Sequence, residues 1–155
     1  MNKKGVTLIE LIVVMVIIAI AAGLIAPNLG GWWLPRYRLR SATRDIVSTI
    51  RTAQMKAVSN GMMRYWVDFN VGTNSYIVGY TTTGGNDFND GPVQTAPSGI
   101  TIDIASLPGG IVFFNPDSSC PNGGSITLSY KKGGVTKAQK GIILNAATGR
   151  TKIVE

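Results

Sequence analysis

The stretch Lys3-Lys4-Gly5-Val6-Thr7-Leu8-Ile9-Glu10, followed from Leu11 to Ala26 by LIVVMVIIAIAAGLIA, governs how the rest of this chain is read. From Val6 to Ala26 the only ionisable side chain is Glu10. Twenty-one helical residues span roughly 32 Å, enough to cross a bilayer core. A secretory signal peptide is the competing reading: Lys3 and Lys4 would form its basic region, and Ala19-Ile20-Ala21 resembles a small-residue cleavage site. Glu10 argues against it, because a carboxylate inside an apolar segment is costly and usually has a role and a partner. Ala19 with Gly23, and Ala22 with Ala26, offer flat patches where helices can approach closely, or are ordinary residues of a membrane helix.

Beyond the run, Pro27, Gly30, Gly31 and Pro35 disfavour helix and predict a bend or break. Trp32, Trp33 and Tyr37 follow, suited either to a headgroup zone or to a core. A second helix is expected from about Arg36 to Asn60. Leu39, Ala42, Ile46, Ile50, Ala53 and Ala57 recur at spacings of three and four and define its buried face. Arg36, Arg40, Arg44 and Arg51 occupy a neighbouring arc, and Ser59-Asn60-Gly61 is the stop.

After Gly61 the period changes to two. Met63, Tyr65, Val67 and Phe69 alternate with Arg64, Trp66 and Asp68 as a strand, and Tyr76 to Tyr80 returns as its hairpin partner. Residues 82–99 read as loop. Further strands are expected over 100–105, 111–114, 126–130, 135–139, 142–145 and 151–154, with Gly or Pro in nearly every connection. The result is an α+β chain with the helical stripe of its second helix laid on an antiparallel β region.

Composition narrows function. There is no His, which removes imidazole bases, Ser-His-Asp and Cys-His pairs and His-bearing zinc sites. The single Cys120 allows no internal disulfide. The formal charge of +7 is unevenly distributed. Arg36, Arg38, Arg40, Arg44, Arg51, Lys56 and Arg64 face only Asp45 within residues 31–64, whereas residues 65–130 contain no Lys or Arg but carry Asp68, Asp87, Asp90, Asp103 and Asp117. Lys131, Lys132, Lys137, Lys140, Arg150 and Lys152 then crowd the carboxyl region with only Glu155 against them. Such segregation concerns partners rather than fold, and makes that region a candidate contact for nucleic acid or an acidic partner. The loop Asn86 to Gly91 misses the calcium-loop spacing and reads as an Asx-rich turn. No catalytic residue, metal or cofactor is assigned, and no enzyme activity is expected.

The segment from Lys3 to Glu10 resembles the class III leader of type IV pilins and type II secretion pseudopilins, where a short basic leader ends in Gly before a Thr-Leu-Ile-Glu segment. Val6 stands where Phe is commoner. The resemblance implies a type IV pilin-like fold, with a long N-terminal helix whose first half lies in the membrane and whose second half is amphipathic. It implies a leader over 1–5 cut by prepilin peptidase between Gly5 and Val6, N-methylation of Val6, a membrane and filament-core helix over 6–30, and a soluble domain over 31–155. In that domain the helix covers about 36–60 and the β region about 62–155. Glu10 would then pair with the Val6 amine of a neighbouring subunit. Leu39 to Ala42, Ala53 to Ala57 with Gly61, and Ile143-Leu144-Asn145 followed by Gly149-Arg150 resemble the H-type minor pseudopilins, the GspH/FimT family.

What this implies is a minor structural subunit of a type II secretion pseudopilus, partnered by other pseudopilins or pilins. The alternative is a minor type IV pilin of pilus assembly or DNA uptake, binding DNA through the basic carboxyl region. Charge counting leaves the orientation open, since basic residues flank both ends of the apolar run. The resemblance implies a single-pass inner-membrane protein with its globular part in the periplasm.

Overall fold

The computed structural model describes residues 7–25, 33–104 and 106–154. The chain divides into two units, residues 1–34 and 35–155. In the first, helix α1 covers Leu8–Ile25, 18 residues apolar on every side apart from Glu10. Its described side chains are exposed along their whole length. Eighteen residues rise about 27 Å, and no helix among the described residues is long and apolar enough to cross a membrane. The apolar run in the sequence extends beyond α1. Gly5, Val6 and the breakers Pro27, Gly30 and Gly31 lie outside the described residues, as does Trp32.

Helix α2 covers Trp33–Asn60 and begins three residues before the expected start. Pro35 does not delay it, because the first-turn amides have no intrahelical acceptor and a missing donor there costs nothing. All six residues of the expected apolar face are buried, from Leu39 through Ala57, while Arg36, Arg40, Arg44 and Arg51 are exposed. Tyr37 points outward, 66% exposed, so core packing does not explain it.

Two antiparallel sheets follow. The first is ordered β3-β2-β1-β6, built from β1 (Arg64–Asn70), β2 (Ser75–Thr81), β3 (Asp87–Asn89) and β6 (Ile111–Phe114), with β4 (Gln94–Thr95) also pairing on β2. The second is ordered β5-β7-β8-β9: β5 (Ile100–Asp103), β7 (Gly124–Lys132), β8 (Val135–Leu144) and β9 (Thr151–Val154). A single apolar cluster joins the α2 stripe to Tyr65, Val67 and Phe69 of β1, Val112 and Phe114 of β6, Ile126 and Leu128 of β7, and Ile142 of β8.

Two expectations are corrected. The loop over 82–99 contains β3 and β4, too short and too polar to show a period of two. Residues 135–139 and 142–145 are parts of one strand, β8, since Gly141 sits within the ladder opposite Thr127 and Val154 instead of turning the chain. Trp66 lies on the outward side of β1, yet is only 9% exposed. It is seated on Gly79, its cross-strand partner in β2, where any Cβ would overlap the indole.

Candidate functional site

The amino-terminal site begins at Thr7. Its hydroxyl accepts the Glu10 amide at 3.3 Å, and its carbonyl accepts the Leu11 amide at 3.2 Å, so Thr7 is the N-cap of α1. Thr7-x-x-Glu10 is the order of a capping box, with Glu10 at the third helical position. Glu10 is exposed at the start of the helix, within the first turn, where the helix dipole favours a carboxylate. The sequence reading assigned Glu10 a role but passed over Thr7, although the spacing to Glu10 was the available signal.

The six basic residues of the carboxyl region do not form one patch. Lys131 and Lys132 sit at the β7–β8 hairpin tip around Gly133-Gly134, opposite Thr136 and Val135. Lys152 is exposed on the edge strand β9 opposite Ile143, and Arg150 is exposed at the end of the loop before it. The ten residues of β8 separate the hairpin tip from the Arg150 loop by roughly 30 Å. Lys137 and Lys140, in the middle of β8, come together instead with Arg36 and Arg40 of α2.

The two sequence segments that carry the H-type resemblance meet in space. From α2, the Gln54 amide nitrogen donates to the Ser118 hydroxyl at 2.8 Å, and lies 3.2 Å from the Ser118 carbonyl and 3.3 Å from the Thr148 carbonyl. Asn145 folds the C-terminal loop: its side-chain oxygen accepts the Ala147 and Thr148 amides, and its carbonyl accepts the Gly149 amide. Gly149, at φ +62°, closes against Gln54 and the Ser118 carbonyl. Ser118 itself has φ +70°, held by a turn in which Asp117 accepts from the Ser119 hydroxyl and amide. Those two bonds hold the Asp117 carboxyl below the usual carboxylate range. Gln54, Asn145 and Gly149 therefore form a latch between α2 and two loops.

The remaining candidates resolve into local structure. In the acidic loop, Asp87 accepts from the Thr81 hydroxyl and Asp90 pairs with Lys56 at 2.7 Å, so the two carboxylates serve different partners. No group of three potential metal ligands occurs among the described residues. Cys120 is fully buried, and burial pushes its thiol up. A neutral, enclosed thiol is a poor nucleophile. The native protein is accordingly expected to react with a disulfide thiol reagent at least about a hundredfold more slowly than the denatured chain. Rapid native labelling would show that the Cys120 pocket opens.

Comparison with known proteins gives a sequence match and structural matches. Residues 1–26 match the family described as the prokaryotic N-terminal methylation motif. No curated protein matches the sequence. Among solved structures, the minor pseudopilin EpsH of the type 2 secretion system of Vibrio cholerae is similar with a TM-score of 0.63 at 12% identity, covering 76% of this chain and 96% of that one. A second EpsH structure gives 0.59 at 14% identity, over 78% and 95%. The type IV minor pilin FimU of Pseudomonas aeruginosa PAO1 gives 0.54 at 14% identity, over 77% and 90%. The chain thus joins the N-terminal methylation motif of prepilin-type proteins to a type IV pilin-like α+β fold of the kind seen in the H-type minor pseudopilin.

Proposed function

We propose that this protein is a minor pseudopilin, a structural subunit of a type II secretion pseudopilus, made as an inner-membrane precursor with its globular domain in the periplasm. The observation that carries the reading is the N-terminal methylation motif over residues 1–26 in front of an EpsH-like fold. Helix α1 supports it physically. A helix with no polar face has no stable place in water and needs lipid or the packed helices of a filament around it. Prepilin peptidase would cut between Gly5 and Val6, and the new Val6 amine would be methylated. Glu10 would pair with that amine on an adjacent subunit. Subunits would then assemble by packing their α1 helices, with other pseudopilins as the partners.

Coexpressed with prepilin peptidase, the chain is expected to begin at Val6, with a mass increment of one methyl group where the methylating activity is present. Intact mass and N-terminal sequencing read this directly. A mature chain starting after Ala19 or Ala21 would establish signal-peptide cleavage instead and overturn the proposal.

The FimU likeness favours a second reading, a minor type IV pilin of pilus assembly or DNA uptake. The exposed Arg150, just before β9, and Lys152, two residues on within it, are the part of the basic region best disposed to reach DNA phosphates. Genomic proximity to secretion components or to competence and pilus components separates the two readings.

A further inference from the structure

Strand β9 is the end strand of the second sheet: among the described residues its strand partner is β8, and its far edge carries no strand. Ile153 sits directly opposite Ile142 and so shares its face, the one joined to the α2 stripe in the core. Ile142 is fully buried, yet Ile153 is 42% exposed. The core face of the sheet is therefore uncovered at this edge, and an open groove of about 350 Å³ lies between Ile153 and α2. Val47 and the largely exposed Met55 form the apolar part of the helix wall. The charged lining is Arg44 and Arg51, with no Asp or Glu among the described residues. The Arg51 Nε donates to the Thr151 hydroxyl at 3.3 Å, and Arg44 has no hydrogen-bond or ion-pair partner among the described residues. All of these residues belong to the single compact unit 35–155.

Edge, floor and charge together set the chemistry of an occupant. An unpaired edge offers backbone N–H and C=O groups at the spacing of a strand, and β9 has neither the proline nor the bulge that closes many such edges. Its one charged residue, Lys152, lies beside Ile143 on the opposite face, clear of the groove. The apolar floor suits an apolar side chain, and each guanidinium fork can clasp a carboxylate. Arg44 and Arg51 stand seven helical residues apart, about 10 Å, with Val47 between them. Residues i and i+4 of a strand lie about 13 Å apart on one face with i+2 between them, a difference that long arginine side chains absorb. We propose that this edge and groove dock an extended acidic segment of a partner protein by strand addition. The segment pairs with β9 as a further strand, seats an apolar side chain against Val47, Met55 and Ile153, and brings carboxylates two residues to either side onto Arg44 and Arg51. Its signature is acidic-x-apolar-x-acidic. Duplex DNA fits less well, since its phosphates could meet the arginines but it offers neither a strand edge nor an apolar side chain. The site uses no part of α1 and goes beyond the assignment to a pseudopilus or a pilus.

The test uses the full chain in nonionic detergent micelles, titrated separately with the peptide acetyl-Thr-Glu-Thr-Val-Thr-Glu-Thr-amide, its counterpart with Gln for both Glu, the shuffled acetyl-Glu-Glu-Thr-Thr-Val-Thr-Thr-amide, and a short DNA duplex. The Lys152 and Ile153 amide resonances report occupancy. The first peptide is expected to shift them saturably, to show cross-strand nuclear Overhauser contacts with the β9 backbone, and to bind about tenfold more tightly than either control peptide. Arg44→Gln is expected to lose about fivefold for that peptide and less than about twofold for the Gln peptide, since only the first has a carboxylate to lose. Lys131→Gln, the same charge change at the hairpin tip, is expected to lose less than about twofold. Ile153→Thr is expected to weaken both peptides about equally, by about fivefold. Thermal unfolding confirms that the variants fold, and Arg44→Gln alone decides the matter if Ile153→Thr does not.

No saturable shift at millimolar peptide, equal binding of the three peptides, or equal losses at Arg44 and Lys131 would overturn the site. Saturable binding without cross-strand contacts to β9 would overturn strand addition. Movement of the same resonances with protein concentration alone would make the occupant a second copy of this chain and overturn the partner. DNA bound more tightly than the first peptide, and lost with Arg44→Gln, would overturn it in favour of a nucleic-acid site. A chain that is cleaved at Val6 but ignores the peptide would overturn this inference while leaving the pseudopilin reading intact.

Discussion

Glu10→Gln is expected to insert in the membrane and be cleaved before Val6 as well as the wild type, yet to enter the assembled filament about tenfold less efficiently. Glutamine is chosen because the structure gives Glu10 two separable properties. As the third residue of a helix capped by Thr7, it occupies a position where Glu and Gln serve equally in a capping box. As a carboxylate, it alone can neutralise a neighbouring cationic amine. Glu10→Gln removes the charge and keeps a polar side chain of the same size, whereas Glu10→Ala removes both; the Thr7 hydroxyl accepts the backbone amide of residue 10 and keeps that bond in either variant. Helix α1 has no other ionisable side chain, so nothing nearby can substitute. A buried amine left without a counter-charge is the expensive outcome, because breaking one side of a desolvated pair costs about 3–5 kcal/mol. Site-directed cross-linking between adjacent subunits, normalised to processed precursor, measures incorporation. A Glu10→Gln chain that incorporates like the wild type, beside a Glu10→Ala chain that does not, would show that Glu10 acts through the size and polarity of its side chain and not through its charge. Undiminished incorporation of both would remove it from assembly altogether.

The sequence made the chain's organisation legible wherever a period ran long enough to be counted. Helix α2 spans eight turns, and its six-residue stripe was readable because each member repeats the same demand for burial. Strands β1, β6 and β9 were legible from alternation or short apolar runs bounded by turn residues. Strands β3 and β4 were not. Two or three exposed residues carry no period, and their place depends on the β2 edge they join. Gly141 misled because a glycine in an apolar stretch reads as a turn, whereas here the missing side chain admits Val154 from β9.

Site residues divide in a similar way. Glu10 stood out locally, as a charge in an apolar run. The meeting of Arg36 and Arg40 with Lys137 and Lys140 did not, because these residues become neighbours only through packing. One-dimensional charge counting had grouped Lys137 and Lys140 with Arg150 and Lys152. The sheet parts Lys140 from Lys152, since Lys152 pairs with the outward Ile143 whereas Lys140 falls on the face of β8 that carries the buried Ile142 and Leu144. Gln54 and Gly149 were noticed as resemblance and not as contact. The interaction between them spans 94 to 95 positions, and nothing in either segment announces the other.

That latch supports the second large effect: Gly149→Ala is expected to destabilise the domain by about 3 kcal/mol, against about 1 kcal/mol for Gly133→Ala. Both glycines have nearly the same left-handed backbone, φ +62° and +61°, so the conformational strain of adding a Cβ is common to the two variants. Their surroundings differ. A Cβ at Gly133 meets nothing within 4 Å, whereas at Gly149 it would fall 2.6 Å from the Gln54 amide nitrogen, 3.0 Å from the Ser118 carbonyl and 3.2 Å from the Phe114 ring. The Gln54 side chain can swing away, but only by giving up Ser118 and Thr148, and the Ser118 backbone is held by its own turn. Phe114 is fully buried and has no room to retreat. Thermal or urea unfolding of the two variants gives the difference, which corresponds to a melting temperature lower by about 10 °C for Gly149→Ala than for Gly133→Ala. Combining Gly149→Ala with Gln54→Ala is expected to cost at least about 1 kcal/mol less than the sum of the two single changes, since the truncated side chain no longer opposes the new methyl group. Equal destabilisation at Gly133 and Gly149, or strict additivity with Gln54→Ala, would show that the loop between Asn145 and Arg150 rests on α2 without being locked to it.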